Sequence, residues 1–423
     1  MVSPSKSMGN RKSVIVGYDA VSPLGSDLKI QWEKAVCGKS GIGPLTRFKL
    51  SDNFPVRIAG EIPDIDTSPY PFLSPRELAN WKSPVFKYAM LVVHRALENS
   101  GIKISKELSP RVAVTFSSAV GGQDAIIHAD RRMMAEGKLP PPYTNPNSCV
   151  NMVGGKISIL TNATGPITST ITACSTGVTS MIVGEMLLET GKADVAICGA
   201  VDCAIIEPLI AGFATMNGAY KTKPNQPKEP ASFASRPFSV NRRGFVVSEG
   251  AGAIILATRE FADAHGLNYN IGLAGWGMTS DAYHFVAPHA PTVSRCIAQS
   301  IHNAGITPED IDAINAHAPS TQIGDKVEFD ALKKIFKKNI PPVTANKSLI
   351  GHAMGASSAI EIIFAMEGMN RDTLLPTINY QPDPKIPLNS LQTKQQKLNQ
   401  EFVLKNSFGF GGCNSCIVLQ KIN

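Results

Sequence analysis

The sequence lacks several features that would direct it to a membrane, a secretory route or a nucleic acid. No apolar run approaches the length of a membrane span, and the start, MVSPSKSMGNRK, has no apolar core of the signal-peptide kind. Only eight cysteines occur in 423 residues, without paired spacing, which predicts reduced thiols and a cytoplasmic location. The net charge is +7, but no dense basic run accompanies it, so an acidic partner is favoured over a nucleic acid.

The composition that remains is that of a large globular protein. Hydrophobic residues make up 43% of the chain and charged residues 18%, enough for an extensive core in one large unit or in two fused halves. Strand-like and helix-like patterns alternate along the chain, which predicts an α/β fold with covered sheets. The order of elements in 167–258 recurs in 342–421. We therefore expect one compact unit of two duplicated halves, 12–258 and 259–423.

The first candidate for chemistry is a cysteine where a strand pattern changes to a helix pattern. Residues 167–172 are rich in β-branched side chains and predict a buried strand. From Ser175 apolar residues recur at helical spacing as far as Gly191, a typical helix stop. Cys174 would lie at the N-terminus of that helix, where free N–H groups should lower the thiol pKa and favour a nucleophile. The alternative is a small buried apolar residue, as most cysteines are.

Three later stretches also carry chemically useful residues. The first, NAHAPSTQIGD (315–325), places His317 just after a predicted strand. The second, NKSLIGHAMGASSAIE (346–361), contains Lys347 and His352, and the third, NSFGFGGCN (406–414), is a glycine-rich loop. Each is weak by itself, because a single histidine or lysine is usually structural or solvated, and the loop matches no dinucleotide or P-loop spacing.

Taken together and in this order, the four stretches resemble the condensing enzymes of the thiolase-like fold, in particular the elongating β-ketoacyl-ACP synthases of types I and II. The resemblance runs from about Lys12 to Ile422. It also includes the motifs VNM (150–152), ASRP (234–237), SEGAG (248–252) and SDAY (280–283). It implies two duplicated βαβαβαββ halves arranged in α-β-α-β-α layers.

The resemblance also implies roles for the candidate residues. Cys174 would hold an acyl group, and the enolate formed from malonyl-ACP by loss of carbon dioxide would be stabilised by His317 and His352, both donating from Nε2. Lys347 would orient and tune the histidines, with Glu361 as its partner. The reaction implied is a decarboxylative Claisen condensation that gives 3-oxoacyl-ACP.

Further residues would bind the substrate. By resemblance, the backbone N–H groups of Cys174 and Phe410 form the oxyanion hole, and Phe410 also gates the acyl pocket. Thr321 would hydrogen-bond the pantetheine arm, because Pro319 replaces the threonine that usually does so. Residues expected to contact the acyl chain are Val120, Thr144, Asn147 and Phe213.

The segment before VNM gives a more specific expectation about the acyl chain. Its sequence, YTNPNSC (143–149), carries at least four uncharged polar side chains where typical elongating synthases are apolar. Polar groups buried against a plain alkyl chain would lose hydrogen bonds to water. The segment therefore favours a chain with polar or π-rich groups, unless these side chains point to solvent.

The resemblance implies no metal and no redox cofactor. Phosphopantetheine would be delivered by an acidic acyl carrier protein, and no nucleic acid or membrane would be involved. The subunits would form a homodimer or heterodimer across 167–172. Carrier docking would use basic residues away from the thinned cluster near Arg76, namely Arg131, Arg132, Lys138, Lys221 and Lys223.

Two alternatives remain at this stage. One is a thiolase-type acyl-CoA acyltransferase, because GHAMGAS (351–357) resembles the thiolase histidine motif and Cys413 lies in the glycine loop. The other is a non-catalytic partner subunit that controls chain length. The complete FGFGG loop (408–412) and Lys347 favour a synthase over a thiolase, and the retained Cys174 counts against a non-catalytic subunit. Whether the pathway makes fatty acids or polyketides is left open.

Overall fold

The computed structural model describes residues 13–222 and 229–422, which form a mixed α/β protein with one large sheet. Nine strands make up this sheet in the order β4-β5-β6-β1-β7-β13-β12-β8-β9, and two two-stranded sheets, β2-β3 and β10-β11, lie apart from it. The strands are β1 (Ser13–Val21), β2 (Gly43–Pro44), β3 (Ile58–Ala59), β4 (Val112–Val114), β5 (Val195–Cys203), β6 (Glu249–Thr258), β7 (Ile271–Ser280), β8 (Ala313–Asn315), β9 (Val343–Thr344), β10 (Thr373–Leu374), β11 (Gln396–Lys397), β12 (Phe402–Gly409) and β13 (Cys413–Lys421).

Helices connect and cover the strands. They are α1 (Leu28–Val36), α2 (Pro75–Asn80), α3 (Pro84–Ser100), α4 (Gln123–Glu136), α5 (Thr144–Ser148), α6 (Asn151–Thr161), α7 (Thr176–Glu189), α8 (Glu207–Thr215), α9 (Arg259–Ala264), α10 (Ala290–Asn303), α11 (Gln322–Phe336), α12 (Lys347–Ile350) and α13 (Met354–Asn370). Within the described residues, none of these helices combines the length and apolarity needed to cross a membrane.

The large sheet consists of two half-sheets that share a four-strand order, and the second half adds one further strand, β9. From its centre, one half runs β1-β6-β5-β4 and the other runs β7-β13-β12-β8-β9. In each half the first strand pairs antiparallel with the last, and the outer pairs β4–β5 and β8–β12 are parallel. The halves join at the single pair Val14–Gly272 between β1 and β7. The repeat seen in the sequence thus corresponds to a repeated strand order, whereas the boundary at 258/259 stays a prediction.

The two half-sheets share one pair of buried helices. Helices α7 and α13 pack on each other, and both contact strands of each half. In α13, 16 of the 17 residues are buried, so this helix is enclosed on all sides. Helix α3 covers the outer face of the first half and α10 that of the second, so the layers follow the predicted α-β-α-β-α order.

Two further helices follow from sequence patterns. The sequence predicts helices over 85–99 and 123–136, and they form as α3, with one further residue at each end, and as α4, with the same bounds. The buried strand predicted over 167–172 is wrong, because this run is extended but pairs with β4 only through the bridge Ile167–Val114. Ile167 and Ile171 are 44% and 47% exposed. A β-branched run gives an extended backbone, but not a partner strand. All eight cysteines are free thiols in this structure.

Candidate active site

Cys174 lies in a strained turn that joins the extended run to α7. A short 3₁₀ turn covers Ala173–Ser175, and Ala173 has φ 49°, a left-handed conformation that costs energy in a residue with a Cβ. Gly409 allows β12 to pack closely here, because a Cβ at Gly409 would collide with Thr172 O and come within 3.2 Å of Cys174 N. The turn therefore holds the thiol against the loop that follows β12.

The structure brings both predicted histidines to this thiol. His352 Nε2 lies 3.0 Å from Cys174 Sγ. The rings of His317 and His352 are 5.8 Å apart between centroids and nearly perpendicular. All three side chains are buried, with at most 6% exposure. Three groups that are far apart in the sequence therefore form one compact site.

The hydrogen bonds around His352 determine its tautomer. Its Nδ1 lies 3.1 Å from Ser357 Oγ. The same Oγ accepts a 2.7 Å hydrogen bond from Ala353 N–H. The hydroxyl proton of Ser357 is then available to donate to Nδ1, since a hydroxyl has one proton to donate. Nε2 carries the ring proton in this arrangement and points it at the Cys174 sulfur.

The backbone on either side of His317 is held by a buried carboxylate that the sequence analysis did not identify. Glu328 accepts hydrogen bonds from the N–H groups of His317 (2.9 Å) and Ala318 (2.7 Å). Ala318 and Ser320 have positive φ values of 25° and 72°, so this loop is strained. Within the described residues, Nδ1 of His317 has no hydrogen-bond partner. A carboxylate eleven residues along, on the inner face of a helix, gave no distinct signal in the sequence.

Two lysines share one buried glutamate behind the histidines. Lys347 Nζ donates to Glu361 Oε1 at 2.6 Å and to His317 O at 2.7 Å. Lys405 Nζ donates to the other oxygen, Glu361 Oε2, at 2.7 Å. The predicted partnership of Lys347 with Glu361 thus exists as a contact. Lys405 was missed, although a lysine inside the apolar run of β12 is a recognisable anomaly.

The electrostatic environment keeps both imidazoles neutral. Burial lowers the pKa of His317 and His352 well below its usual value, and the positive charges of Lys347 and Lys405 lower it further. A neutral imidazole can donate one hydrogen bond without first releasing a proton. The site is therefore suited to stabilising a developing oxyanion by hydrogen bonding.

The pKa of the Cys174 thiol is shifted in the direction opposite to the expected one. Burial raises the pKa of Cys174 to about 12. The Lys347 charge and the backbone N–H groups of Phe410 and Cys174 act in the opposite direction, but burial outweighs them. The prediction of a lowered pKa at a helix N-terminus is therefore wrong in direction. The N–H groups of Phe410 and Cys174 do lie close to the sulfur, where an oxyanion hole would need them.

A cavity of about 670 Å³ opens onto Cys174, His317 and His352. Four of the predicted substrate-binding residues line it: Val120, Phe213, Thr321 and Phe410. Thr321 caps α11, where its Oγ1 accepts a hydrogen bond from Gly324 N, so its own hydroxyl proton remains for another acceptor. The other lining side chains near the thiol are mainly apolar, including Met216, Phe245, Met354 and Phe408.

The floor of this cavity is fixed by a second carboxylate that the sequence analysis missed. Asp202 accepts hydrogen bonds from Ser118 Oγ (2.6 Å) and from the backbone N–H groups of Val120 (2.9 Å) and Ala356 (3.2 Å). Burial raises the pKa of Asp202 to about 6. The carboxylate joins the cavity floor to α13, next to the residues that support His352.

The other two predicted substrate-binding residues lie elsewhere. Thr144 and Asn147 line a separate cavity of about 650 Å³ beside α3 and α4. The side chain of Asn147 accepts from Ser83 N (3.1 Å) and donates to Asn80 O (2.9 Å) and Tyr143 O (2.8 Å). Its polar atoms therefore hold the backbone together. The inference of a polar acyl pocket from this segment is wrong for the cavity at Cys174, which the segment does not reach within its own chain.

The predicted docking residues are spread over two regions. Arg131 lines the second cavity and pairs with Glu207, while Arg132 and Lys138 both pair with Glu136. Lys221 lies near the mouth of the catalytic cavity, since it donates to Asn217, one of the lining residues. Lys223 lies outside the described residues. In the described ranges 13–222 and 229–422, no group of three or more metal-binding side chains is present.

Sequence comparisons place this site within one protein family. Residues 10–262 match the family described as "Beta-ketoacyl synthase, N-terminal domain", and residues 272–381 match "Beta-ketoacyl synthase, C-terminal domain". A "3-oxoacyl-[acyl-carrier-protein] synthase 2" from Coxiella burnetii is 34% identical over 422 residues, covering 98% of this chain and 100% of that protein.

Solved structures give the same result. A β-ketoacyl synthase from Burkholderia phymatum superposes with a TM-score of 0.89 at 26% identity, covering 98% of this chain and all of that one. A chain of the ishigamide ketosynthase/chain length factor superposes with a TM-score of 0.88 at 27% identity and the same coverage.

The raised thiol pKa predicts how Cys174 reacts with iodoacetamide. Below the pKa the thiolate fraction rises about tenfold per pH unit, so the rate at Cys174 should still be rising steeply between about pH 7 and pH 10. Peptide mass spectrometry would follow Cys174, with the exposed thiols Cys37 and Cys149 as reference sites in the same digest. A rate that levels off near pH 8 would contradict the dominance of burial.

Proposed function

The chain belongs to the β-ketoacyl synthase family, and we propose that its decarboxylative condensation takes place in the cavity around Cys174, His317 and His352. The enzyme is an acyltransferase that joins an acyl group to malonyl-ACP and gives 3-oxoacyl-ACP in fatty acid or polyketide elongation. Family membership sets aside the thiolase-type alternative, and the retained thiol sets aside the non-catalytic one. The observation that carries the proposal is the 3.0 Å contact between His352 Nε2 and Cys174 Sγ.

In the first half-reaction the acyl group moves to Cys174. The sulfur attacks the carbonyl carbon of the incoming thioester, and a new carbon–sulfur bond forms. The bond from that carbon to the pantetheine sulfur breaks, and the proton of the Cys174 thiol ends on the departing pantetheine sulfur. The backbone N–H groups of Cys174 and Phe410 lie close to the sulfur. There they donate hydrogen bonds to the negative oxygen of the tetrahedral intermediate and stabilise it. The apolar side chains of Val120 and Phe213 enclose the acyl chain.

In the second half-reaction malonyl-ACP loses carbon dioxide. The carbon–carbon bond to the carboxylate breaks, and its electron pair forms an enolate whose oxygen accepts hydrogen bonds from Nε2 of His317 and His352. Both rings are neutral and buried, so each donates in a low-dielectric site. The enolate carbon then attacks the acyl carbonyl, and Cys174 leaves as the thiolate.

The carrier protein delivers both substrates on a phosphopantetheine arm. The Coxiella burnetii relative is, by its name, a synthase of 3-oxoacyl-[acyl-carrier-protein]. In this chain Thr321 lines the cavity and keeps a hydroxyl proton that can be donated to the arm. Lys221 lies beside the lining residue Asn217, so an acidic carrier can approach a positive charge at the mouth.

The chain pairs with a second subunit across residues 167–172. The run is extended, and its two isoleucines are 44% and 47% exposed, which is unusual for large apolar side chains next to a nucleophile. An unpaired extended edge of this kind is open to pairing with another chain. The ishigamide ketosynthase/chain length factor combines a ketosynthase with a chain length factor, so a related subunit is one form this partner takes.

Cys174→Ala should abolish acyl transfer, because the mutant has no sulfur to form the thioester. Intact-mass measurement after incubation with acyl-ACP should show one added acyl group on the wild type and none on the mutant. Malonyl decarboxylation should continue in the mutant, since both histidines remain. An acyl adduct on the mutant would refute the assignment of the nucleophile.

His317→Ala and His352→Ala should retain acylation of Cys174 but lose decarboxylation. Removal of one donor to a developing oxyanion typically lowers the rate about a hundredfold to a thousandfold. Carbon dioxide release from malonyl-ACP measures the loss, and the acyl adduct by mass is the control for folding. If either mutant releases carbon dioxide at the wild-type rate, that histidine does not stabilise the enolate.

Ile171→Asp should weaken the subunit pair, because a carboxylate would be buried where an apolar side chain is expected. Light scattering after gel filtration should give twice the chain mass for the wild type and a shift toward the single-chain mass for the mutant. Ile30→Asp is a matched control, since Ile30 in α1 is also 47% exposed. A single-chain mass for the wild type would exclude self-pairing and leave a related partner subunit. An unchanged mass in Ile171→Asp would show that the pair uses another surface.

A further inference from the structure

Lys405 is one of two lysines buried beside Glu361. It lies in the middle of β12, and its side chain is completely buried. A lysine is almost never fully buried without a partner, because removing an ammonium from water costs several kcal/mol. The condensation mechanism above does not use it.

The contacts of Lys405 are those of a charged ammonium. Nζ lies 2.7 Å from Glu361 Oε2, 2.8 Å from Asn406 O and 3.4 Å from Ala316 O. All three partners are acceptors, and only an ammonium has three protons to donate. Burial lowers the pKa of Lys405, and the negative charge of Glu361 opposes this.

The same contacts connect Lys405 to both polar groups of the peptide bond between Ala316 and His317. Lys405 itself contacts the carbonyl of Ala316, the residue that follows strand β8. The N–H of this peptide bond is reached through the next residue of β12: Asn406 Nδ2 donates to Glu328 Oε1 at 3.0 Å, and the same oxygen accepts from His317 N–H. Lys405 thus forms part of a network that holds the His317 loop from two directions.

Lys405 also adds a second positive charge behind the histidines. The titratable and charged groups around the two imidazoles come from every element packed there: Cys174 in the nucleophile turn, Asp202 behind it in β5, Glu328 in α11, Lys347 in α12, Glu361 in α13 and Lys405 in β12. Glu361 is shared by two ammonium groups, so one positive charge of the pair is not balanced by this carboxylate. An imidazolium would be repelled by it.

We propose that Lys405 is a second positioning residue of the condensation site, which shares Glu361 with Lys347, fixes the His317 loop and keeps both imidazoles in the neutral, donating form. This inference rests on the proposed roles of His317 and His352. It assigns Lys405 no contact with the substrate.

Lys405→Met tests whether the charge of Lys405 keeps the two imidazoles neutral. Without the charge an imidazolium is repelled less, so the pKa of the histidines should rise. The acid limb of the rate profile for malonyl decarboxylation should then move to higher pH by on the order of one unit. Lys405→Arg restores the charge and should keep the wild-type pH dependence even if its rate is lower. Lys421→Met is the matched control, since it removes an ion pair with Asp372 at the end of the neighbouring strand β13.

Two results would overturn the proposal. One is a pH profile for Lys405→Met that superimposes on that of the wild type, and the other is an equal shift in Lys405→Arg. A purely structural role would lower the rate without moving the acid limb.

A measurement on the unmodified enzyme covers the case in which the variants do not fold. NMR of protein labelled at lysine Nζ should show two buried, slowly exchanging ammonium groups between about pH 6 and pH 8, those of Lys347 and Lys405. A neutral amine at Lys405 would refute the proposal. This count does not depend on turnover, so it stands even if His317 and His352 prove not to stabilise the enolate.

Discussion

The active site depends on the burial of Glu361 between two lysines. A carboxylate and two ammonium groups without solvent contact persist only when each finds partners of the right kind, because an unpaired buried charge is very costly. Lys347 and Lys405 each use one oxygen of Glu361, and their remaining protons hold the carbonyl groups of residues 316, 317 and 406. The charge cluster thereby fixes the backbone of two strand ends at the site where the histidines are needed.

The same cluster explains why two histidines can work as donors side by side. Their rings are 5.8 Å apart, and if both were protonated they would repel each other in a site with little water. Burial and the lysine charges keep the rings neutral, and hydrogen bonds from Ser357 and to Glu328 set their positions. Backbone strain at Ala173, Ala318 and Ser320 is concentrated within these same turns. Such strain persists only where the surrounding packing determines the conformation, as it does here.

The duplicated fold supplies the frame for this site. The nucleophile turn leads into α7 from the first half, and both histidine loops belong to the second half. Helices α7 and α13 pack against each other between the half-sheets, so the halves cannot shift without separating Cys174 from His352. The cavity at Cys174 is mainly apolar, which matches an acyl chain. The separate cavity beside α3 and α4 belongs to the first half alone.

Local pattern in the sequence determined the α/β class, the repeat and the helix after Cys174, and resemblance to a known family singled out the four stretches that carry Cys174, His317, Lys347, His352 and Phe410. These features depend on periodicity and on short motifs, so they could be recognised without coordinates. Long-range packing decided the rest. The run 167–172 is extended as predicted, yet only the tertiary structure shows that, within one chain, it is exposed and almost unpaired. The thiol pKa depends on burial, which reversed the direction expected from the helix terminus. Asp202 and Glu328 contact the site from a distant strand and helix, and a pairwise contact across such separations leaves no periodic trace in one sequence.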